Sequence, residues 1–154
     1  MVPRIKKGRV AATTKGVTVD WKIELIGVPV SDIDRAMAFY VDKLGFNADN
    51  DERVNENLRF VQLTPPGSAC SITLDDGRSG MKPGSLEGIQ VVVANADDAL
   101  AQLQAAGVEA RGVEEFPWGR FVFFSDPDGN GWALQELPDY SKLADWKDAG
   151  SQLE

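Results

Sequence analysis

The chain contains no histidine in 154 residues. That count removes the Ser–His–Asp triad, the Cys–His dyad, the imidazole general base and every histidine-bearing metal site. One thiol remains, Cys70, in the alternating run ACSITL. No basic residue stands beside it to stabilise a thiolate, so it reads as a small buried hydrophobe. A single cysteine also rules out an intrachain disulfide. The remaining chemistry belongs to carboxylates, amides and guanidiniums. The segment EEFPWGRFVFF, residues 114–124, sets Trp118 and Arg120 just before Phe121 and Phe123. A tryptophan and an arginine at a pocket rim could stack on a flat ligand and hold an anionic group. The phenylalanines read as core. Arg59, in the matching strand of the first half, is a further candidate whose facing the pattern leaves open. DPDGN at 126–130 lacks the twelve-residue ligand series of a calcium loop and reads as a turn.

The elements that must position these groups occur twice. Residues 21–30 read as a strand, Ser31 and Asp32 as helix-capping types, and 33–44 as a helix with Ile33, Ala36, Met37, Phe39, Tyr40 and Leu44 on one face. Gly45 stops it. Residues 58–63 and 69–74 form a hairpin around the turn PPGS, and 75–85 is a connector. Then comes a strand at 89–93, Asn95 as cap, a helix over 96–106 stopped by Gly107, and strands at 118–125 and 131–137 around DPDGN. A shift of 63 places Asp32 on Asn95 and Asp34 on Asp97; a shift of 62 places Gly45 on Gly107. One strand–helix–strands unit leaves a sheet face bare, whereas two can wrap a shared interior with the helices outside.

Charge and flanks add constraints. Residues 1–20 carry Arg4, Lys6, Lys7, Arg9 and Lys15 against Asp20, a net +4, which leaves −12 on the rest of a chain whose total is −8. An acidic body argues against nucleic acid as partner. Residues 1–20 read as a flexible basic tail, with no continuous apolar core of a secretory signal. No run reaches the length of a membrane span. The expected location is the cytoplasm, with no membrane partner. Residues 138–154 space Tyr140, Leu143 and Trp146 as in a short docking helix.

VPVSDIDRAMAFYVDKLGF at 28–46 and FFSDPDGNGWALQE at 123–136, with the repeat, resemble the vicinal-oxygen-chelate superfamily of glyoxalase I, bleomycin-resistance proteins and extradiol dioxygenases. The resemblance covers about residues 21–137 as one domain, with modules at 21–80 and 86–137. It implies an α+β fold of two βαβββ modules forming a half-open barrel, and a homodimer. In metal-dependent members four inward strand positions carry His, Glu or Gln ligands. Carried over, those positions are Leu25, Ser71, Gly88 and Ala133. Three bear no donor and a lone hydroxyl is a weak one, so no metal and no other cofactor is expected.

With those positions as anchors, strand alternation turns Gly27, Thr73, Gln90, Val92, Gly131 and Gln135 inward as well. Ile26, Val28, Ile72, Leu74, Val91, Val93, Trp132 and Leu134 then pack beneath the helices. The inward set is small and lightly polar, which suits an uncharged organic ligand. Gln90 and Gln135 are the first contact candidates, followed by Ser71, Thr73, Trp118, Arg120 and Arg59. The residues point to a metal-free small-molecule-binding protein of the drug-sequestering kind. A second reading is a metal-independent isomerase, lyase or hydrolase with a carboxylate such as Glu24 or Glu136 as base, although their parity sets both away from the centre. A third is a metal-dependent glyoxalase- or dioxygenase-like enzyme with its ligands elsewhere.

Overall fold

The computed structural model describes residues 16–139. Of the tail expected at 1–20 and the docking helix expected within 138–154, residues 1–15 and 140–154 lie outside the described residues. Two four-stranded sheets are present, each with a helix on one face. The first orders its strands β1 (Leu25–Pro29), β4 (Ser71–Asp75), β3 (Leu58–Thr64) and β2 (Asn47–Asn55); the second orders β5 (Ile89–Val93), β8 (Gly131–Glu136), β7 (Gly119–Ser125) and β6 (Glu114–Phe116). In each the first strand runs parallel to the last and the others pair antiparallel. The same βαβββ unit is therefore built twice, as the repeat requires.

Helix α1 begins at Ile33 because the Asp32 carboxylate accepts the Arg35 backbone N–H at 3.0 Å; helix α2 (Ala96–Ala105) begins where Asn95 does the same for Asp98 at 2.9 Å. Each cap contributes about 1 kcal/mol. The α-helical turns of α1 end at Met37, and Ala38–Lys43 widens into a π-helical stretch. There the Leu44 N–H reaches back to the Phe39 carbonyl at 3.1 Å. The wider turn lets the consecutive rings of Phe39 and Tyr40 both be buried. Residues 21–24, expected as strand, precede β1 and form no strand; the ladder with β4 starts at Leu25 opposite Ser71.

The core lies between each sheet and its helix, and Val28, Ile72, Leu74, Trp132 and Leu134 face it as alternation required. The cluster is continuous across the two halves because Tyr40 of the first packs on Trp132 of the second, with ring centres 5.6 Å apart. Around that contact the DPDGN turn is locked to the first half. Asn130 Nδ2 donates to the Pro29 carbonyl at 2.8 Å, and Asp128 accepts from Ser31 and Arg35. Gly84, at φ +79°, lies against the same turn so closely that a Cβ there would sit 1.9 Å from the Asp128 carbonyl oxygen. Only glycine fits, and the connector thereby seals the seam.

Candidate functional site

Each sheet has one face on its helix and one turned away, and the second kind is where a ligand could lie. On the second sheet the register fixes which side chains share that open face. Gln90 stands beside Ala133 and Val92 beside Gln135 on the parallel pair. Across the antiparallel pairs, Phe123 lies opposite Ala133, Phe121 opposite Gln135, Glu114 opposite Phe121 and Phe116 opposite Gly119. Residues directly opposite share a face. The open face therefore carries an amide pair at one edge and aromatic rings across the rest.

The aromatic rings form a continuous floor. Phe121 and Phe123 stack at 5.7 Å, Phe116 meets Phe121 edge-on at 5.5 Å, and Trp118 stacks on Phe116 at 5.4 Å. Phe121 is buried, whereas Trp118 is 39% exposed and Phe116 38%. Phe121, expected as core, is buried, and both it and Phe123 lie on the face away from α2. Gln135 Nε2 donates to the Trp118 carbonyl at 2.8 Å and fixes the turn that carries the indole. The Gln135 side-chain oxygen accepts from Gln90 Nε2 at 2.6 Å, so the two amides are already paired. Arg111 lies over the Phe123 ring, 5.4 Å from its centre, and forms an ion pair with Glu114 at 3.5 Å. Glu114 Oε2, the oxygen of that ion pair, is buried and accepts no hydrogen bond. An open cleft of about 1120 Å³ is lined by Gly88, Arg111, Phe123 and Ala133, and also by Phe39 and Lys43 of the π-helical stretch.

The first sheet's open face carries the hydroxyls of Thr64, Ser71 and Thr73. Thr64 and Ser71 hydroxyls bond at 2.6 Å, and Thr73 Oγ1 is buried with no partner. Met81 of the connector lies over Gly27, its Cε 3.8 Å from where a Cβ would be. Pairing of Gly27 with Thr73 and of Gln90 with Ala133 makes Thr73, not Ser71, the counterpart of Ala133. The four corners thus become Leu25, Thr73, Gly88 and Ala133, which offer one hydroxyl. Gly88 has φ +84°, a backbone that disfavours any ligating side chain. Among the described residues no three His, Cys, Asp or Glu side chains converge. The donor set does not fit the metal of the metal-dependent members, and no step is built on one.

Arg59 and Arg120 point to the helices. Arg59 binds Asp34 at 2.7 Å and Asp51 at 2.8 Å; Arg120 binds Asp97 at 2.9 Å and Glu115 at 3.2 Å. Each ties a strand to the first turn of its own helix, and neither reaches the open face. Glu136 is likewise occupied, its carboxylate accepting the Ala96 N–H at 2.8 Å at the start of α2. Glu24 is exposed ahead of β1. The carboxylate that does share the aromatic face, Glu114, reads as loop in the sequence because the three-residue strand β6 is too short to show a period. Burial pushes the Cys70 thiol up, and the charge of Glu24 adds to this, so a thiolate is disfavoured.

Paired βαβββ modules with helices outside define the class of fold, and known proteins place the chain within it. The model of the Glyoxalase/Bleomycin resistance protein/Dioxygenase superfamily matches residues 22–134, and the chain belongs to that superfamily. Among solved structures it is similar to TnmS3, an antibiotic binding protein from Streptomyces sp. CB03234, at 37% identity and a TM-score of 0.73, over 79% of this chain and 100% of that one. A superfamily member from Sphaerobacter thermophilus DSM 20745 is similar at 35% identity and a TM-score of 0.68, over 76% and 98%. The protein YetH of Bacillus subtilis (strain 168) is 27% identical over 119 residues, 75% of this chain and 98% of its own length. No helix among the described residues is long and apolar enough to cross a membrane.

Proposed function

We propose that the chain binds a small, flat organic molecule on the open face of its second sheet and holds it without metal chemistry, as a ligand-binding or drug-sequestering protein. The observation that carries this reading is the floor of Phe116, Trp118, Phe121 and Phe123, rings in mutual contact on the open face of the second sheet, with Phe116 and Trp118 partly exposed. Rings held against one another cost little further entropy when a planar ligand stacks on them. Arg111 and Glu114 at one border, and Gln90 with Gln135 at the other, supply hydrogen-bonding groups to orient it. The similarity to an antibiotic binding protein supports the same class of ligand. We place the working form as a homodimer in the cytoplasm.

Proton chemistry is the second reading, favoured by one feature. Glu114 sets a buried carboxylate oxygen that accepts no hydrogen bond and pairs only with the Arg111 guanidinium at 3.5 Å beside the aromatic floor, so it replaces Glu24 and Glu136 as the candidate base. A titration of planar aromatic compounds followed by tryptophan fluorescence, with native mass spectrometry for a retained molecule, tests binding. Saturable quenching that Trp118→Ala weakens supports it, and absence of any saturable ligand across a broad panel refutes it. Turnover abolished by Glu114→Gln with binding retained would replace the binding-only reading by the enzymatic one.

A further inference from the structure

Arg59 and Arg120 grip their carboxylates, bonding Asp34 and Asp97 at 2.7 and 2.9 Å. Arg111 does not. It stands 3.5 Å from Glu114 Oε2 without a hydrogen bond, and its side chain is 73% exposed. An exposed pair of that kind stabilises little, so the guanidinium is readily given up to water. Yet its place is specific, for it lies over the Phe123 ring, 5.4 Å from the centre. Glu114 stands opposite Phe121 on β6, and Phe121 stacks on Phe123. Carboxylate and ring faces therefore meet at one border of the floor. Both attract positive charge, the rings through their quadrupole. Glu114 Oε2 is buried and accepts no hydrogen bond, which is costly for a carboxylate oxygen until a donor arrives.

We propose that Arg111 holds the place of a ligand's own cation: the planar molecule taken up by this face carries a protonated nitrogen, an ammonium or amidinium, which displaces the guanidinium from Phe123 and donates to Glu114 Oε2. The exchange keeps the charge at that border balanced, since one cation leaves as another enters. It also gains the hydrogen bond that Arg111 does not make with Glu114, and a charge-assisted bond is among the stronger ones. The displaced guanidinium stays at the edge of the floor, where it meets acceptor groups on the ligand's rim. An anionic ligand would read the same residues in reverse, with Arg111 as anchor and Glu114 set against it. The net charge of −12 beyond residue 20 disfavours that arrangement. The inference rests on the function proposed above and adds to it the charge of the ligand. Alternation along the longer strands misses this charge, because Glu114 opens a three-residue edge strand and Arg111 precedes it.

Three fluorescent probes on one ring system test it: 9-(aminomethyl)anthracene as the cation, 9-anthracenemethanol as the neutral molecule and anthracene-9-carboxylate as the anion. Each is titrated against the full chain and followed by the anisotropy of the probe, at about 0.15 M salt to screen the general acidity of the surface. The cation should bind about 10-fold more tightly than the neutral probe, and the anion most weakly. Glu114→Gln should erase that preference and leave the neutral probe within a factor of two. Glu115→Gln removes the neighbouring carboxylate, which pairs with Arg120, and should leave the preference intact. Arg111→Ala should tighten the cation by about 3-fold, as removal of a competitor does. Equal affinity for the three probes, tightest binding of the anion, a preference that survives Glu114→Gln, or no tightening in Arg111→Ala would overturn the charge assignment and leave the planar-ligand reading standing. No binding of any of the three would overturn both.

Discussion

The Tyr40 hydroxyl donates to Asp126 Oδ2 at 2.7 Å across the boundary between the two halves, and accepts the Trp132 indole N–H at 3.0 Å. All three side chains are buried. Burial, reinforced by the charge of Asp126, pushes the Tyr40 hydroxyl far above its ordinary range, so it stays a donor at any working pH. Asp126 in turn gathers the N–H groups of Asp128, Gly129 and Asn130 and the Asn130 amide. One phenol thus joins helix α1 to the turn that launches β8.

Replacing Tyr40 by Phe keeps the ring and deletes the hydroxyl. The indole N–H and one carboxylate oxygen then lose a partner in a dry site, at a cost of about 3 kcal/mol. The midpoint of thermal unfolding should fall by roughly 6–12 °C. Calorimetry of Tyr40→Phe checks this, and a change below ~2 °C would mean that water replaces the hydroxyl.

Trp118 and Arg120 are two residues apart and should behave oppositely. The indole lies on the open face proposed to bind the ligand, so Trp118→Ala should weaken binding of a planar ligand by 10-fold or more, as loss of an aromatic stacking partner typically does. Arg120 reaches Asp97 and Glu115 at the surface, and Arg120→Ala should leave binding within a factor of two and the urea midpoint nearly unchanged, since exposed ion pairs stabilise little. Fluorescence titration and urea unfolding of both variants separate the roles. Equal loss of affinity in the two would return Arg120 to the site.

Acid should loosen the seam. Burial pushes the Asp128 carboxyl up, but the hydrogen bonds from Ser31 and the charge of Arg35 outweigh it and hold it below the ordinary 3.8. Asp75 is held low in the same way, with burial offset by Ser79 and the N–H groups of Gly77 and Arg78. A depressed carboxylate contributes stability that is complete above the unfolded value and lost as pH falls through the folded one. Urea midpoints should therefore be flat from pH 7 to about 5 and drop below about 4. Asp128→Asn should be less stable at pH 7 and show a shallower drop.

The repeat, the faces of β1, β4, β5 and β8 and both helix starts were legible because each is written in a strong local signal: a period of two, a capping side chain, a glycine stop. What escaped has physical reasons. Strand β2, Asn47–Asn55, is polar and exposed throughout and is held by its pairing with β3, so no alternation marks it. Phe121 and Phe123 read as core because an aromatic pair on one strand face is ordinary core; only the register with Gln135 and Ala133 reveals the other side. Arg59 and Arg120 read as rim residues because their partners, Asp34 and Asp97, stand more than 20 residues away in sequence. The clamps are visible in the repeat only once Asp34 is matched to Asp97.

Metal addition separates this chain from the metal-dependent branch of its superfamily. A metal that binds the folded state at 100 times its dissociation constant stabilises by about 2.7 kcal/mol, which is a rise of roughly 5–10 °C in a chain of this size. Leu25, Gly88 and Ala133 bring no donor to the corners, and the Thr73 hydroxyl alone cannot hold a divalent ion. Zinc, manganese, nickel and iron(II) at 100 μM should each leave the unfolding midpoint within ~1 °C, and prior treatment with a chelator should leave ligand affinity unchanged. A rise of several degrees with any one of them, or loss of binding on chelation, would place a coordination site where these side chains offer none.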